Sequence, residues 1–189
     1  FKTIVPSGGI SLTSINYTDD RVGNVAGSAI TVKGNLNFPI IPGKWDADLS
    51  SFINAFSLGS SGPVAPRFFG LNARAGYTFQ KIKAPWMIKI LGGIYYTTML
   101  QGKYGFRNIS GPQIYPAFSR TLDGRSSLNG YVKFSPISAG VGILSPSSHE
   151  LAAGFSYSFP ISRQNHYLSI SLDVSRLNLV VTQDDYSEK

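Results

Sequence analysis

The sequence predicts an all-β fold, a transmembrane antiparallel up-and-down β-barrel of about eight strands. Apolar side chains alternate with small or polar ones over stretches longer than usual strands, and only 14% of the residues are charged. Alternation at period two places one set of side chains on each face of a strand. The clearest example is the hairpin of residues 69–100.

Residues 69–79 and 86–100 form the two halves of this hairpin. From Phe69 to Phe79 every second residue is Phe, Leu, Ala or Tyr, and those between are Gly, Asn, Arg or Thr. After a turn the alternation restarts at Trp86, although Leu91 shares the more polar face. Strands of soluble domains usually have about 5 or 6 residues, whereas a strand tilted across a bilayer needs about 9–11. Each half is therefore long enough to cross a membrane.

Three strands are predicted before the hairpin. The first, residues 10–17, changes parity midway, which predicts either a bulge near Thr13 or Ser14 or a strand buried on both faces. The second, residues 28–40, alternates cleanly. The third, residues 46–58, carries Asn54 on the side expected to face lipid. Turn residues separate all three strands.

Three strands are predicted after the hairpin. Residues 127–144 form one strand that Pro136 interrupts with a bulge, and residues 151–161 alternate without interruption. The last strand, residues 168–181, shifts phase near its end and leads to a polar tail at 183–189. These bring the predicted count to eight, an even number as in single-chain bacterial barrels.

The connections predict which side of the membrane each faces. Residues 102–127 lack sustained alternation, which predicts a long outer loop. If both termini lie in the periplasm, the turns and loops divide by length, as expected for such barrels. The predicted periplasmic turns are 41–46, 80–85 and 145–148, and the outer loops are 18–27, 59–66 and 102–127. The short connection at 162–165 falls on the outer side and does not fit.

Composition limits the class of protein. A chain of 189 residues is one domain, and its mean hydropathy near zero is compatible with barrel strands that dilute each lipid-facing residue with a lumen-facing one. The chain has no cysteine, so no disulfide or thiolate metal site is expected. The net charge is +7, but the 17 Lys and Arg residues are scattered, so nucleic acid is not an expected partner.

At the level of pattern, the chain resembles the small eight-stranded outer-membrane barrels of Gram-negative bacteria over residues 10–177. Gly154, Tyr157 and Phe159 match the spacing of that family's assembly signal, but in the penultimate predicted strand, and the usual terminal aromatic residue is missing. The resemblance implies a bacterial outer-membrane location. It also implies contact with membrane lipids, including lipopolysaccharide, and with other envelope proteins.

A soluble β-sandwich or lipocalin-like barrel is the alternative, with the apolar parity directed inward. Five or six strands would then each bring about four to six large apolar side chains into an interior only just wide enough for side chains. Gly, Ala, Ser and Thr are frequent on the opposite parity, as a narrow lumen requires. Side-chain volume therefore favours the membrane barrel.

Charged residues on the small-residue parity are the candidate luminal site. They are four cations and one anion, so a net cationic interior is expected: Lys33, Arg74, Lys89, Lys133 and Asp173. Two interpretations stay open. The charges pair and stiffen a barrel that conducts nothing, or they line a narrow anion path or receive an acidic plug from a partner.

Outer-loop residues are the candidate contact surface. Five basic residues are candidates for binding lipopolysaccharide phosphates, or they are ordinary solvated loop charges: Arg67, Lys103, Arg107, Arg120 and Arg125. Four aromatic residues are candidates for closing the barrel mouth or docking a protein partner: Tyr104, Phe106, Tyr115 and Phe118.

Enzymatic chemistry is not expected. The candidate pairs are His149 with Glu150, and His166 with Ser169 or Ser171, but His166 has opposite parity to both serines, so their side chains leave from opposite faces. No metal site or cofactor motif is recognisable. The expected function is a non-enzymatic structural or interaction component of the envelope, with an anion-selective pore and an outer-membrane lipid hydrolase as alternatives.

Overall fold

The structure is a computed structural model that describes residues 4–19, 23–60, 67–80, 84–99, 108–122, 126–136, 139–140, 149–160 and 167–179. All ten elements in these ranges are strands. They are β1 Val5–Asp19, β2 Gly23–Ile41, β3 Trp45–Ser60, β4 Phe68–Phe79, β5 Trp86–Met99, β6 Asn108–Thr121, β7 Ser127–Ser135, β8 Ala139–Gly140, β9 His149–Pro160 and β10 Tyr167–Leu179.

The strands close into a nine-stranded barrel, in which β7 and the short β8 together count as one strand. Each of β1 to β6 pairs antiparallel with the next, β7 pairs with both β6 and β9, and β9 pairs with β10. The two-residue β8 follows β7 after Pro136 and pairs with β6, as β7 does. The parallel pair of β1 and β10 completes the circle. The all-β barrel is confirmed, and the predicted count of eight strands is wrong.

The strand that the sequence analysis did not predict is β6, which lies within the predicted outer loop of 102–127. Thirteen consecutive pairs with β5, from Trp86↔Arg120 to Thr98↔Asn108, place it in the wall beside β5. Burial alternates along it, with Ile109 and Gln113 inside and Pro112 and Ile114 outside. The loop prediction was wrong because glycine and two prolines mask this alternation.

An odd number of strands changes the sidedness of the barrel. Successive strands of the barrel alternate in direction, so the first and the last of nine strands point the same way. For this reason β1 and β10 pair in parallel. We call the end where β1, β3, β5 and β8 finish the long-connection end, and the end where β2, β4, β6 and β9 finish the short-turn end. The strands are separated by 3 to 8 residues of sequence at the first end and by 3 to 6 at the second. The predicted connections at 145–148 and 162–165 lie outside the described residues, but β9 begins at the long-connection end and ends at the short-turn end.

The barrel has inverted polarity. Among the described residues, thirty large hydrophobic side chains are exposed, nearly all of them on the outer wall; examples are Leu71 at 42%, Ile90 at 49%, Phe155 at 54% and Ile170 at 65%. Most buried residues are instead polar or charged. In the strands that carry these four residues, most of the apolar side chains face outward and the small or polar ones face inward, as predicted. The described residues include no helix long and apolar enough to cross a membrane.

A bulge in β3 explains why Asn54 was predicted to face lipid. Ile30 pairs with Phe56 and Thr31 with Asn54, so Ala55 is an extra residue in β3. This bulge reverses the parity, which directs Asn54 inward and Phe56 outward. The prediction that Asn54 faces lipid is therefore wrong. In β1 the register with β2 is continuous from Val5 to Asp19, and no bulge is present.

Candidate functional site

Eight charged side chains enter the interior of the described barrel, and they form four ion pairs. Arg74 Nε lies 2.7 Å from Asp48 Oδ1, Lys89 Nζ lies 2.7 Å from Asp46 Oδ2, and Lys133 Nζ lies 2.7 Å from Glu150 Oε2. The fourth pair joins Lys33 and Asp173. A charge buried away from water is costly unless it is paired and hydrogen-bonded, and this pairing meets that requirement.

Two of these pairs belong to a continuous chain of six side chains that crosses the lumen. The guanidinium of Arg74 stacks on the ring of Tyr115 at 3.8 Å, and Tyr115 stacks on Tyr131 with ring centroids 4.9 Å apart. The hydroxyl of Tyr131 donates a hydrogen bond of 2.5 Å to Asp173. We call this chain the crosspiece; in order it consists of Asp48, Arg74, Tyr115, Tyr131, Asp173 and Lys33.

The crosspiece depends on glycine in the strands that it passes over. Tyr131, Gly154 and Asp173 are cross-strand neighbours on β7, β9 and β10. A Cβ at Gly154 would collide with both the Tyr131 ring and the Asp173 carboxylate. Gly93 of β5 pairs with Arg74 of β4, and a Cβ there would collide with the backbone of Ala73 and Arg74. Side chains two strands apart meet because the strand between them carries no side chain there.

The other two ion pairs brace the wall on either side of the crosspiece. Lys89 of β5 reaches over β4 to Asp46, which also accepts a 2.6 Å hydrogen bond from the hydroxyl of Thr78. Lys133 lies 4.2 Å from the ring centroid of Tyr95 and pairs with Glu150. Together with the crosspiece, these side-chain contacts connect eight of the nine strands of the barrel.

The described interior is only partly filled by side chains. Tyr95, Ile109, Gln113 and Asn54 are buried toward the long-connection end. A cavity of about 450 Å³ remains, and its lining includes the crosspiece and residues on both sides of it. Amides and hydroxyls line much of it, among them Asn35, Asn37, Ser119, Asn129 and Ser156. Asn129 accepts a 2.7 Å hydrogen bond from Ser119.

The structure places all five predicted luminal charges inside the barrel. The expected net cationic interior is wrong for the described residues, because Asp46, Asp48 and Glu150 balance the cations. The inward parity of Asp46 and Asp48 was hidden by the bulge at Ala55. Glu150 was overlooked because it was read only beside His149, near a predicted turn.

The predicted contact surface is not a single surface. Tyr115 lies in the crosspiece, Phe118 and Arg120 are exposed on the outer wall toward the short-turn end, and Arg67 is exposed just before β4 at the other end. Tyr115, Phe118 and Arg120 thus belong to a strand and not to an outer loop. The remaining candidates lie outside the described residues: Lys103, Tyr104, Phe106, Arg107 and Arg125.

The candidate catalytic residues have other roles where they are described. Glu150 is paired with Lys133, and the hydroxyl of Ser169 lies 2.7 Å from that of Ser158. His166 falls outside the described ranges. Within those ranges no three His, Asp or Glu side chains are grouped as a metal site would require.

Fold and interior define a closed nine-stranded β-barrel with an apolar outer wall and an ion-paired crosspiece in its lumen. Comparison of the chain with protein-family models, with curated proteins and with solved structures gave no match.

Proposed function

We propose that this chain is a membrane-spanning barrel of a bacterial outer membrane and acts as a non-enzymatic structural or interaction component of the envelope. The observation that carries the proposal is the inverted polarity of the wall. Soluble monomers rarely expose contiguous apolar patches larger than about 300–600 Å². Here all nine strands of the barrel expose apolar side chains on the outer wall, which is the arrangement expected for a wall in contact with lipid chains.

Strand length and aromatic residues support a bilayer setting. Apart from β7 and its continuation β8, the strands have 12 to 19 residues. That length exceeds the span of about 9–11 residues that a tilted strand needs to cross hydrocarbon. Trp45, Tyr77 and Phe79 form an edge-to-face cluster on the outer wall toward the short-turn end. Such rings are enriched where a barrel meets the membrane surface.

The crosspiece favours a closed barrel over an anion pore. Every described luminal cation already has a carboxylate partner, so none is left to attract a permeating anion. The Arg74–Tyr115–Tyr131 stack also crosses the lumen in the path of a solute. The proposed partners are therefore outside the lumen: membrane lipids, including lipopolysaccharide, and other envelope proteins.

Membrane fractionation and gel migration test the location. The protein should be recovered from outer membranes and should run faster on a cold SDS gel than after boiling, because a folded barrel resists SDS. Recovery of folded protein only from the soluble fraction would refute the proposal.

Planar-bilayer recording tests the closed lumen. The wild-type protein should show no steady conductance. A variant that cuts the crosspiece, Arg74→Ser with Tyr115→Ser and Tyr131→Ser, should conduct if it retains heat-modifiable migration. The matched control, Phe118→Ser with Arg120→Ser, changes only the outer wall and should stay silent. Steady anion-selective current through the wild type would favour the pore instead.

A further inference from the structure

One seam of the barrel wall has an incomplete hydrogen-bond ladder. Strands β6 and β7 pair from Ala117↔Tyr131 to Thr121↔Ser127 and again at Ile114↔Phe134, with a gap between. Every other pair of adjacent full-length strands has at least nine pairs, which makes this seam the sparsest.

Three prolines account for the gap. The amide of Thr121 donates to Pro85 on the β5 side, and the amide of Leu122 donates to Ser126 on the β7 side. Because donors alternate in direction along a strand, even-numbered positions of β6 face β7. Pro112 and Pro116 are even-numbered, so the two places where β6 lacks an N–H both face β7.

The third proline is on the facing strand. The register of Ile114↔Phe134 brings Pro116 opposite Val132 and Pro112 opposite Pro136. The carbonyl of Val132 therefore has no ladder donor, and the two facing prolines can form no ladder bond with each other. In hydrocarbon an unsatisfied backbone group is costly, so this seam is the cheapest part of the wall to separate.

The seam lies between the bilayer-facing surface and the luminal cavity. On the outside it is flanked by exposed apolar side chains, including Ile114 and Phe134. On the inside, Tyr115 and Ala117 of β6 and Tyr131 of β7 line the cavity. The Tyr115–Tyr131 stack joins the two strands where backbone pairing is missing.

We propose that the β6–β7 seam is a lateral opening of the barrel and that the Tyr115–Tyr131 stack is its latch. The wall parts locally at Pro112, Pro116 and Pro136 while the other seams remain closed. This gives the cavity an entrance from the side. The lipid-facing role of the entrance rests on the proposed membrane location, whereas the weakness of the seam does not.

Amide hydrogen exchange of the folded protein in detergent micelles tests the seam itself. The amides of Ile114, Val132 and Phe134 should exchange faster than those of Leu71 and Ala73 at the complete β4–β5 seam. Pro116→Ala restores the missing donor and should slow exchange at Val132 and Phe134 by about fivefold, the effect of one net hydrogen bond.

A matched control is Pro39→Ala, which changes a proline of β2 and should leave exchange at β7 unaltered. Equal protection of the two seams in the wild type, or no slowing in Pro116→Ala, would overturn the proposal whether or not the protein lies in a membrane.

Cysteine labelling tests the opening toward lipid. The chain has no native cysteine, so Ala117→Cys beside the seam and Ala29→Cys on β2 provide two unique luminal thiols. An alkyl maleimide confined to the bilayer should label the first and not the second, and Tyr115→Ala should raise labelling of the first several-fold.

A water-soluble maleimide calibrates access from the aqueous end for both thiols. Equal bilayer-phase labelling of the two thiols, or a rate at Ala117→Cys that does not respond to Tyr115→Ala, would overturn the latch. Failure of the protein to fractionate with membranes would instead contradict the proposed location, and the exchange result would still decide the seam.

Discussion

Replacing Arg74 with Gln removes one of the two cations of the crosspiece. The side chains of Arg74 and Asp48 are only 6% and 9% exposed, so Asp48 would keep a buried charge without its partner. Breaking a buried ion pair from one side costs about 3–5 kcal/mol. The hydrogen bond of 2.7 Å from Arg74 to Ser50 is lost as well. We expect the free energy of unfolding to fall by about 4 kcal/mol.

Two further variants separate charge from shape. Arg74→Lys keeps the cation but loses the planar group that stacks on Tyr115, and we expect a loss of about 1–2 kcal/mol. Asp48→Asn combined with Arg74→Gln removes both charges. This double variant should be more stable than Arg74→Gln alone by about 2 kcal/mol, because it leaves no unpaired buried charge.

Urea unfolding in detergent or lipid, followed by tryptophan fluorescence, measures these differences. The chain has two tryptophans, Trp45 and Trp86, both on the outer wall, so their emission should shift when the strands leave the apolar phase. Arg120→Gln serves as the control, since Arg120 is exposed, and it should change stability by no more than about 0.5 kcal/mol. If Arg74→Gln were as stable as this control, the account of the crosspiece would be wrong.

Three other predictions test separate features. Gly154→Ala should displace Tyr131 and cost about 1–3 kcal/mol in urea unfolding, whereas Gly9→Ala, with open space at its Cβ, should cost less; equal losses would contradict the close packing at Gly154. Asp46→Asn should leave Lys89 without its anion and lower stability by about 2 kcal/mol, a value reduced for the partial exposure of Lys89, and an unchanged unfolding curve would argue against the brace. Ile94→Lys in the middle of the outer wall should cost about 2–4 kcal/mol in a bilayer and Ile41→Lys near the strand end about 0–1, while a soluble barrel would tolerate both equally.

The direction of each face could be predicted from the sequence because it depends only on period two. In β4 and β5 every described side chain faces the predicted way, including Arg74 and Lys89. The ion-pair partners could not be predicted in the same way, since they depend on register between strands. Asp48 meets Arg74 because the two are opposite in the β3–β4 ladder, and a bulge at Ala55 fixes the inward parity of that stretch.

The missed strand shows where sequence patterns lose information. In β6, Gly111, Pro112 and Pro116 carry the usual signs of a loop. A proline is tolerated there because its missing donor faces one neighbour only, while all thirteen pairs with β5 remain. The residues that hid the strand from sequence analysis are therefore those that weaken its other seam.

Strand number also determines what the lumen can do. With β6 counted as a loop, Tyr115 would lie outside the barrel and Arg74 would face the lumen without its stacking partner. With β6 in the wall, the ring of Tyr115 lies between the Arg74 guanidinium and the Tyr131 ring, and the chain of contacts extends to Asp173. The same strand thus supplies the aromatic ring of the crosspiece and two of the prolines at the β6–β7 seam, so the proposed closed lumen and the proposed lateral entrance depend on one segment of sequence.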